Sequence, residues 1–386
     1  MLTFRREANE TIVAENTTVW EFTPYEFGAW AVGVKNLTEG FFTPIEYLGT
    51  KLVGAETNGT CYRGFDQLSF VMGTSSTLFN YGLVELAGLN ESSVITDAIQ
   101  NILSSISADQ NDIAQVPNPS YQYQFDSQIV NPISNLTYLT LVDAGETNQN
   151  IPLEPLLIRN IDTILAFDNS ADTTYSWPNG SAIRTTWSRA VAFKEQYHLD
   201  ELKIADIPTT NTFVNKGLNT RPVFFGCNVT DSPLVVYVPH YPWSYYSNSS
   251  TFKLAYNEDE AIPQMESAMR SLTLNGTVPT WPKCLACAMT DRANGYTAEN
   301  RTAECQQCFN TWCWDGISDD SDPTSEYEPL AGVTPDFIVK NNLSNDVRNT
   351  PITTSTKDKK DSGAASVTVG SSVAIAALVA SVLAML

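Results

Sequence analysis

A chain of 386 residues, 42% hydrophobic and 11% aromatic, holds enough apolar material for one large core or two ordinary ones, which excludes a wholly disordered protein. The formal charge of -21 argues against nucleic acid as a partner and against electrostatic docking on anionic lipid. Acidity of this degree suits an extracellular protein, and it also serves plain solubility.

The chain opens on MLTFRREANETIV, which has two arginines and no apolar h-region and so does not read as a signal peptide. Asn-x-Ser/Thr sequons nevertheless recur at Asn9, Asn16, Asn36, Asn58, Asn90, Asn135, Asn179, Asn228, Asn248, Asn275, Asn300 and Asn342. Sequons spread this widely imply passage through the secretory pathway and glycosylation on the way. The two readings agree if the chain is the C-terminal part of a longer precursor or a truncated gene model.

Ser92 to Ala108 places Val94, Ile95, Ala98, Ile99, Ile102, Leu103 and Ile106 at helical spacing, with Ser92 or Ser93 as cap. Leu136 to Val142 is an apolar run that reads as a buried strand. It leads straight into Asp143-Ala144-Gly145, a tight loop carrying a carboxylate at a strand end, where α/β enzymes place their chemistry. Ile161 to Phe167 and Leu234 to Val238 read as further buried strands, and Ser181 to Phe193 and Glu258 to Leu274 as helices. Helices mixed with buried strands predict a layered α/β domain.

Seven cysteines agree with an oxidising compartment: Cys61, Cys227, and a cluster of Cys284, Cys287, Cys305, Cys308 and Cys313. Two Cys-x-x-Cys pairs 17 residues apart also fit a zinc ribbon, but in a glycosylated secreted chain disulfides are the favoured reading. The odd total leaves one thiol without a partner. From Asp319 to Asp361 the chain turns polar, with DDSD, a threonine-rich run and KDKKD, and reads as a flexible stalk. Val373 to Leu386 is an apolar tail, and Ser362-Gly363-Ala364 upstream are small residues suited to lipid attachment. This spacing matches a GPI-attachment signal over 362–386, with Ser362 as the attachment residue. The alternative is a tail-anchored helix, but no basic flank follows and the strictly apolar run is short for a span.

The stretch Asp143 to Leu157, DAGETNQNIPLEPLL, resembles the Asp loop of the fungal phospholipase B (lysophospholipase) family, whose members read Asp-Gly-Gly-Glu-Asp followed by Gln-Asn-Ile-Pro-Leu. Trp20 to Trp30, Glu46 to Thr50, Cys61 to Asn80, Trp177 to Ser181, Asn211 to Cys227, Cys284 to Arg292 and Cys305 to Trp314 look like further segments of that family, in order. The resemblance implies a patatin-like, cytosolic-phospholipase-like α/β domain over residues 1–318, incomplete at its N-terminal side. It also implies hydrolysis of fatty acyl esters of phospholipids and lysophospholipids by a Ser–Asp dyad, with no cofactor, in a protein held at the cell surface.

Composition bears on that chemistry. A Ser–His–Asp triad needs a histidine, and the chain has only His198 and His240, neither in a recognisable catalytic context. A dyad needs none: Asp143 itself would take the serine proton and later assist water. Gly145 would let the backbone turn sharply beside the carboxylate. Ala144 and Thr147 depart from the family pattern, the first mattering only if that residue needs positive φ. No Gly-x-Ser-Gly turn is present, so no nucleophile is assigned. Ser75 and Ser76, in Gly73-Thr74-Ser75-Ser76, lack the elbow form and match a non-nucleophilic family stretch. Asp168 and Asp172 read as residues of a solvated turn, with support of the Asp143 loop as the alternative. The aromatics of Tyr241 to Tyr246 read as core or shielded surface. No metal site is expected. The competing reading is a non-catalytic, GPI-anchored glycoprotein derived from the same family.

Overall fold

A computed structural model describes residues 2–6, 13–14, 17–30, 40–48, 65–75, 77, 113–123, 131–173, 175–247, 256–293, 300–323, 329–345, 348–349 and 351. The expected helix at 92–108, Cys61, Ser76, Ser362, the apolar tail and the sequons at Asn9, Asn16, Asn36, Asn58, Asn90 and Asn248 lie outside the described residues. The described residues form two compact units, one within 2–158 with 192–202, the other within 159–191 and 203–351. Helices and sheets mix, as expected for an α/β protein.

The first unit is built on β1 (Leu2–Arg5), β2 (Val19–Phe22), β3 (Glu26–Trp30), β4 (Gly40–Pro44), β5 (Ala114–Pro117) and β6 (Tyr138–Asp143). They form one sheet in the order β4-β3-β2-β1-β6-β5, every neighbour antiparallel. Alternation divides the side chains of β6. Leu139 and Leu141 join Trp20, Phe22, Phe27 and Val116 in one apolar cluster, while Val142 joins Phe4 and Val19 in another. Both faces are therefore covered near β1 and β6, and register between them is strongly fixed. Trp20 stacks on Phe27 at 5.2 Å across the β2–β3 hairpin. Gly28 is required there, since a Cβ would come within 2.1 Å of the Phe41 carbonyl oxygen on β4. The approach to β6 is held by Asn118, whose amide donates to the carbonyls of Ile133 and Leu136. Helix α1 (Leu68–Thr74) and the short α2 (Glu154–Ile158) complete the described part.

The second unit has β7 (Thr163–Asp168), β8 (Val223–Phe225) and β9 (Leu234–Pro239) in the order β7-β9-β8. β9 is parallel to β7 and antiparallel to β8, and it is buried along its whole length, which accounts for its unbroken apolar sequence. Helix α3 (Ser181–Tyr197) begins in this unit, followed by α4 (Thr210–Asn215), α5 (Glu258–Thr273), α6 (Trp281–Thr290), α7 (Ala303–Trp312) and α8 (Asp336–Lys340). α5 starts on a capping box in which Asn257 and Glu260 satisfy each other's backbone N–H groups. Trp177, Tyr241, Trp243, Trp281, Phe309 and Trp312 dominate the core, so the first aromatics of the Tyr241–Tyr246 run pack inside.

The cysteine spacing is explained by two helices. Residues three apart share a helix face, so Cys284 and Cys287 on α6 meet Cys308 and Cys305 on α7 as a ladder of two disulfides. A third joins Cys227 after β8 to Cys313 after α7, with Cα atoms 6.2 Å apart. These six cysteines are disulfide-bonded, so the zinc-ribbon reading of the spacing does not hold.

The flexible stalk expected from residue 319 is corrected in its first half. Asp319 N–H donates to the Thr212 hydroxyl, and Asn215 donates to the carbonyls of Asp319 and Ser321, fastening this turn to α4. Further on, Ile338 of α8 is fully buried, and the Arg221 guanidinium lies 3.7 Å from the Phe337 ring centroid. Thr334 and Arg348 are joined by two hydrogen bonds. A polar composition hid a few apolar anchors.

Candidate active site

β6 ends at Asp143, whose partner on β1 is Thr3. The chain then turns into a single 3-10 turn, Ala144–Thr147, with Asp143 as its N-cap. The carboxylate Oδ1 accepts the Gly145 N–H at 2.7 Å, the usual way an aspartate satisfies a helix start. Gly145 thus serves as a donor. Neither Gly145 nor Ala144 has positive φ, so alanine at 144 is accommodated; the left-handed residue is Asn148, φ 55°. Thr147 closes the turn by donating to the Ala144 carbonyl at 3.0 Å, so its departure from the family pattern leaves the loop bonded.

Behind the loop lies a buried polar chain that the sequence reading missed. The Asp143 N–H donates to Thr77 Oγ1 at 2.8 Å, and the Thr77 hydroxyl donates to Glu146 Oε1 at 3.0 Å. Glu146 Oε2 lies 3.4 Å from Arg6 Nη1, and both side chains are almost fully enclosed, at 3% and 1% exposure. Glu146 stands inside the quoted loop and Thr77 inside a quoted family segment, so the residues were in view. What sequence lacks is the pairing that brings positions 6, 77 and 143 together.

The serine candidates gain no support. Ser75 follows α1 as its C-cap, with φ -113° and ψ 32°, and its N–H returns to the Met72 carbonyl. A nucleophile elbow leads from a strand into a helix. His198 is exposed with φ 58°. His240 is buried in the second unit, its Nδ1 2.7 Å from Asn169 Oδ1, and burial lowers its pKa to about 4.

The solvated turn expected at Asp168 and Asp172 is overturned. Asp168 is buried, accepting from the Tyr237 hydroxyl at 2.7 Å and from the Ser170 N–H at 2.9 Å. Burial raises its pKa despite those bonds. Asp172 accepts the Asn179 N–H at 3.2 Å. Desolvation first, and the Asp168 charge second, raise its pKa to about 6. Among the described residues no group of three His, Cys, Asp or Glu side chains could hold a metal ion.

Among the described sequons, Asn135, Asn228, Asn300 and Asn342 are exposed and Asn179 is half-buried. Asn275 differs: Arg270 donates to its Oδ1 at 2.7 Å, and its Nδ2, the atom that would carry a glycan, is buried.

The family profile described as lysophospholipase catalytic domain matches residues 1–319. This chain belongs to the lysophospholipase catalytic-domain family. A phospholipase B of Cryptococcus neoformans var. grubii is 54% identical over 94% of this chain and 56% of its own length. Lysophospholipase 2 of Aspergillus fumigatus is 44% identical over 84% of this chain and 55% of its own length. The chain thus spans little more than half the length of the curated relatives it matches. No solved structure matches it. Membership bears out the family resemblance read from the sequence.

Proposed function

We propose that this chain carries the aspartate half of a phospholipase B or lysophospholipase that cleaves fatty acyl esters of phospholipids and lysophospholipids through a Ser–Asp dyad. The observation that carries the reading is the Asp143 carboxylate: it stands at a strand end, oriented by the Gly145 N–H, on a loop backed by buried partners. In the dyad, Asp143 accepts the serine proton as the hydroxyl attacks the ester carbonyl. The acyl group passes to the serine and the alcohol leaves with a proton. Water, deprotonated by the same carboxylate, then releases the fatty acid. No Gly-x-Ser-Gly turn lies in the 386 residues, so in this reading the serine comes from sequence beyond them. The patatin-like layering belongs to the same proposal and rests on the family. So does delivery to the cell surface on a GPI anchor at Ser362, which rests on the sequons and the small-residue and apolar pattern of 362–386.

The test is reconstitution. The 386-residue chain is expressed together with the portion of the Cryptococcus neoformans phospholipase B that lies outside the match, and release of fatty acid from lysophosphatidylcholine is followed. Hydrolysis is expected only with both parts present, and Asp143→Asn should abolish it. Robust hydrolysis by the 386-residue chain alone would place the nucleophile within it and overturn the reading. The competing non-catalytic reading draws on the same missing turn, and it predicts a reconstituted, folded assembly with no turnover.

A further inference from the structure

A strand-end aspartate is only as well placed as the backbone beneath it. The Asp143 carboxylate hangs from a residue whose N–H leaves the sheet ladder and donates to Thr77. A threonine hydroxyl has one proton and two lone pairs, so its orientation must be chosen. Here the choice is made by Glu146, which as a carboxylate only accepts. The Thr77 hydroxyl therefore points its proton at Glu146 Oε1 and offers a lone pair to the Asp143 N–H. Arg6 is enclosed with Glu146, its Nη1 3.4 Å from Glu146 Oε2. Arg6 itself is fixed from the sheet, its N–H donating to the Thr140 carbonyl on β6.

We propose that Arg6, Glu146 and Thr77 form a positioning network for Asp143, in which the buried ion pair sets the direction of the Thr77 hydroxyl and that hydroxyl pins the backbone carrying the carboxylate. The proposal rests on the reading of Asp143 as the dyad base and names the groups that hold it; none of the three touches substrate. The pieces come from the residue after β1, from the segment after α1 and from the loop after β6. A loop of five residues is thereby tied to two distant stretches of chain through side chains that exclude water. Preorganisation of this kind, within a fraction of an ångström, is what a proton-transferring group requires.

The experiment uses the 386-residue chain and needs no turnover. Amide hydrogen exchange at Asp143 is compared by NMR in wild type, Thr77→Val, Thr77→Ser and Glu146→Gln, together with the carboxyl carbon resonance of Asp143. Thr77→Val keeps shape but loses the acceptor, and exchange at Asp143 should rise at least about tenfold while core amides of β2 and β3 stay protected. Thr77→Ser restores the hydroxyl and should return exchange to within about threefold of wild type. Glu146→Gln removes the charge that faces Arg6 and should shift the Asp143 carboxyl resonance with the fold retained. Unchanged exchange and resonance in Thr77→Val would overturn the positioning network. So would equal losses in the valine and serine variants, because the effect would then follow packing alone. Failure of the dyad reading shows separately, as full activity of Asp143→Asn in the reconstituted enzyme.

Discussion

Asp143 follows β6 in the first unit and Asp168 closes β7 in the second, and the two carboxylates meet different surroundings. Asp143 is half-buried, takes a backbone N–H, and stands on a loop whose own polar groups are paired behind it. Asp168 is enclosed, accepts from Tyr237 and Ser170, and is pushed toward its protonated form by burial. Position at a strand end therefore does not decide a carboxylate's chemistry; solvent access and the donors around it do. The units differ in the same spirit. Among the described residues the first is held by a six-stranded sheet and the enclosed Arg6–Glu146 ion pair. The second, on a three-stranded sheet, relies on three disulfides among the described residues.

The largest expected effect separates the units. The bridges close segments of 86, 24 and 18 residues. Bridges of this span contribute about 3 to 4.5 kcal/mol each on chain-entropy grounds, without being additive. Reduction should abolish hydrogen-exchange protection in β7 and β9 and leave β1, β2 and β6 protected. Equal loss in both sheets would mean that the units unfold together.

Next comes chemistry. In the reconstituted enzyme Asp143→Asn should lower kcat by about 10³-fold, or roughly 4 kcal/mol of transition-state stabilisation, with little change in Tm. Asp168→Asn, which mimics the protonated form, should leave kcat within about threefold. A reversed pattern in steady-state assays would exchange the roles assigned to the two strand ends.

Removing one partner of an enclosed ion pair leaves the other charge buried, so Arg6→Ala should destabilise the first unit by about 3 kcal/mol in urea unfolding. Arg6→Ala with Glu146→Ala should recover part of that loss. A loss below about 1 kcal/mol for Arg6→Ala would show that water reaches Glu146 when Arg6 is gone.

The smallest effect is a slope. Asp172 has its folded pKa raised from 3.8 to about 6, and Asp168 is raised as well. The stability these acids contribute is full below the unfolded value and is lost as pH rises through the folded one. His240, lowered from 6.5 to about 4, works the other way, its contribution lost as pH falls from 6.5 toward 4. Between pH 4 and 6 Asp172 releases a proton on unfolding where His240 takes one up, so the two oppose each other, and Asp168 adds to the side that loses stability as pH rises. Asp172→Asn should make the slope of stability against pH in that window more positive by about 1.4 kcal/mol per unit. Parallel pH curves for wild type and Asp172→Asn would put the Asp172 carboxyl in water.

Much of this was legible in the sequence, and the failures share a cause. The apolar runs read at Ile161 to Phe167 and Leu234 to Val238 became β7 (Thr163–Asp168) and β9 (Leu234–Pro239), and helical spacing found α3 and α5. The strand end and turn at Asp143 were legible because a strand and a loop motif are local signals. Thr77 and Arg6 were not, because their role exists only once β1 pairs with β6 and the segment after α1 reaches the same strand end. Asp168 was misread because a polar run, FDNSAD, looks solvated when the tyrosine 69 residues away that covers it is not in view. The stalk was misplaced for the same reason: Ile338 and Phe337 are few, but they are buried against a core built earlier in the chain.

The docking of α8 and its pairing with Arg348 has a consequence for reach. On the anchor proposed at Ser362, the free tether is counted from about residue 349, not from 319. Fully extended, roughly 13 residues span at most about 45 Å, against about 150 Å for the roughly 43 residues of the stalk as first drawn. The leash is short, so an anchored second unit would stay within about that distance of the membrane. Its diffusion would be a search across a membrane surface, with local substrate density set by that surface and not by the bulk.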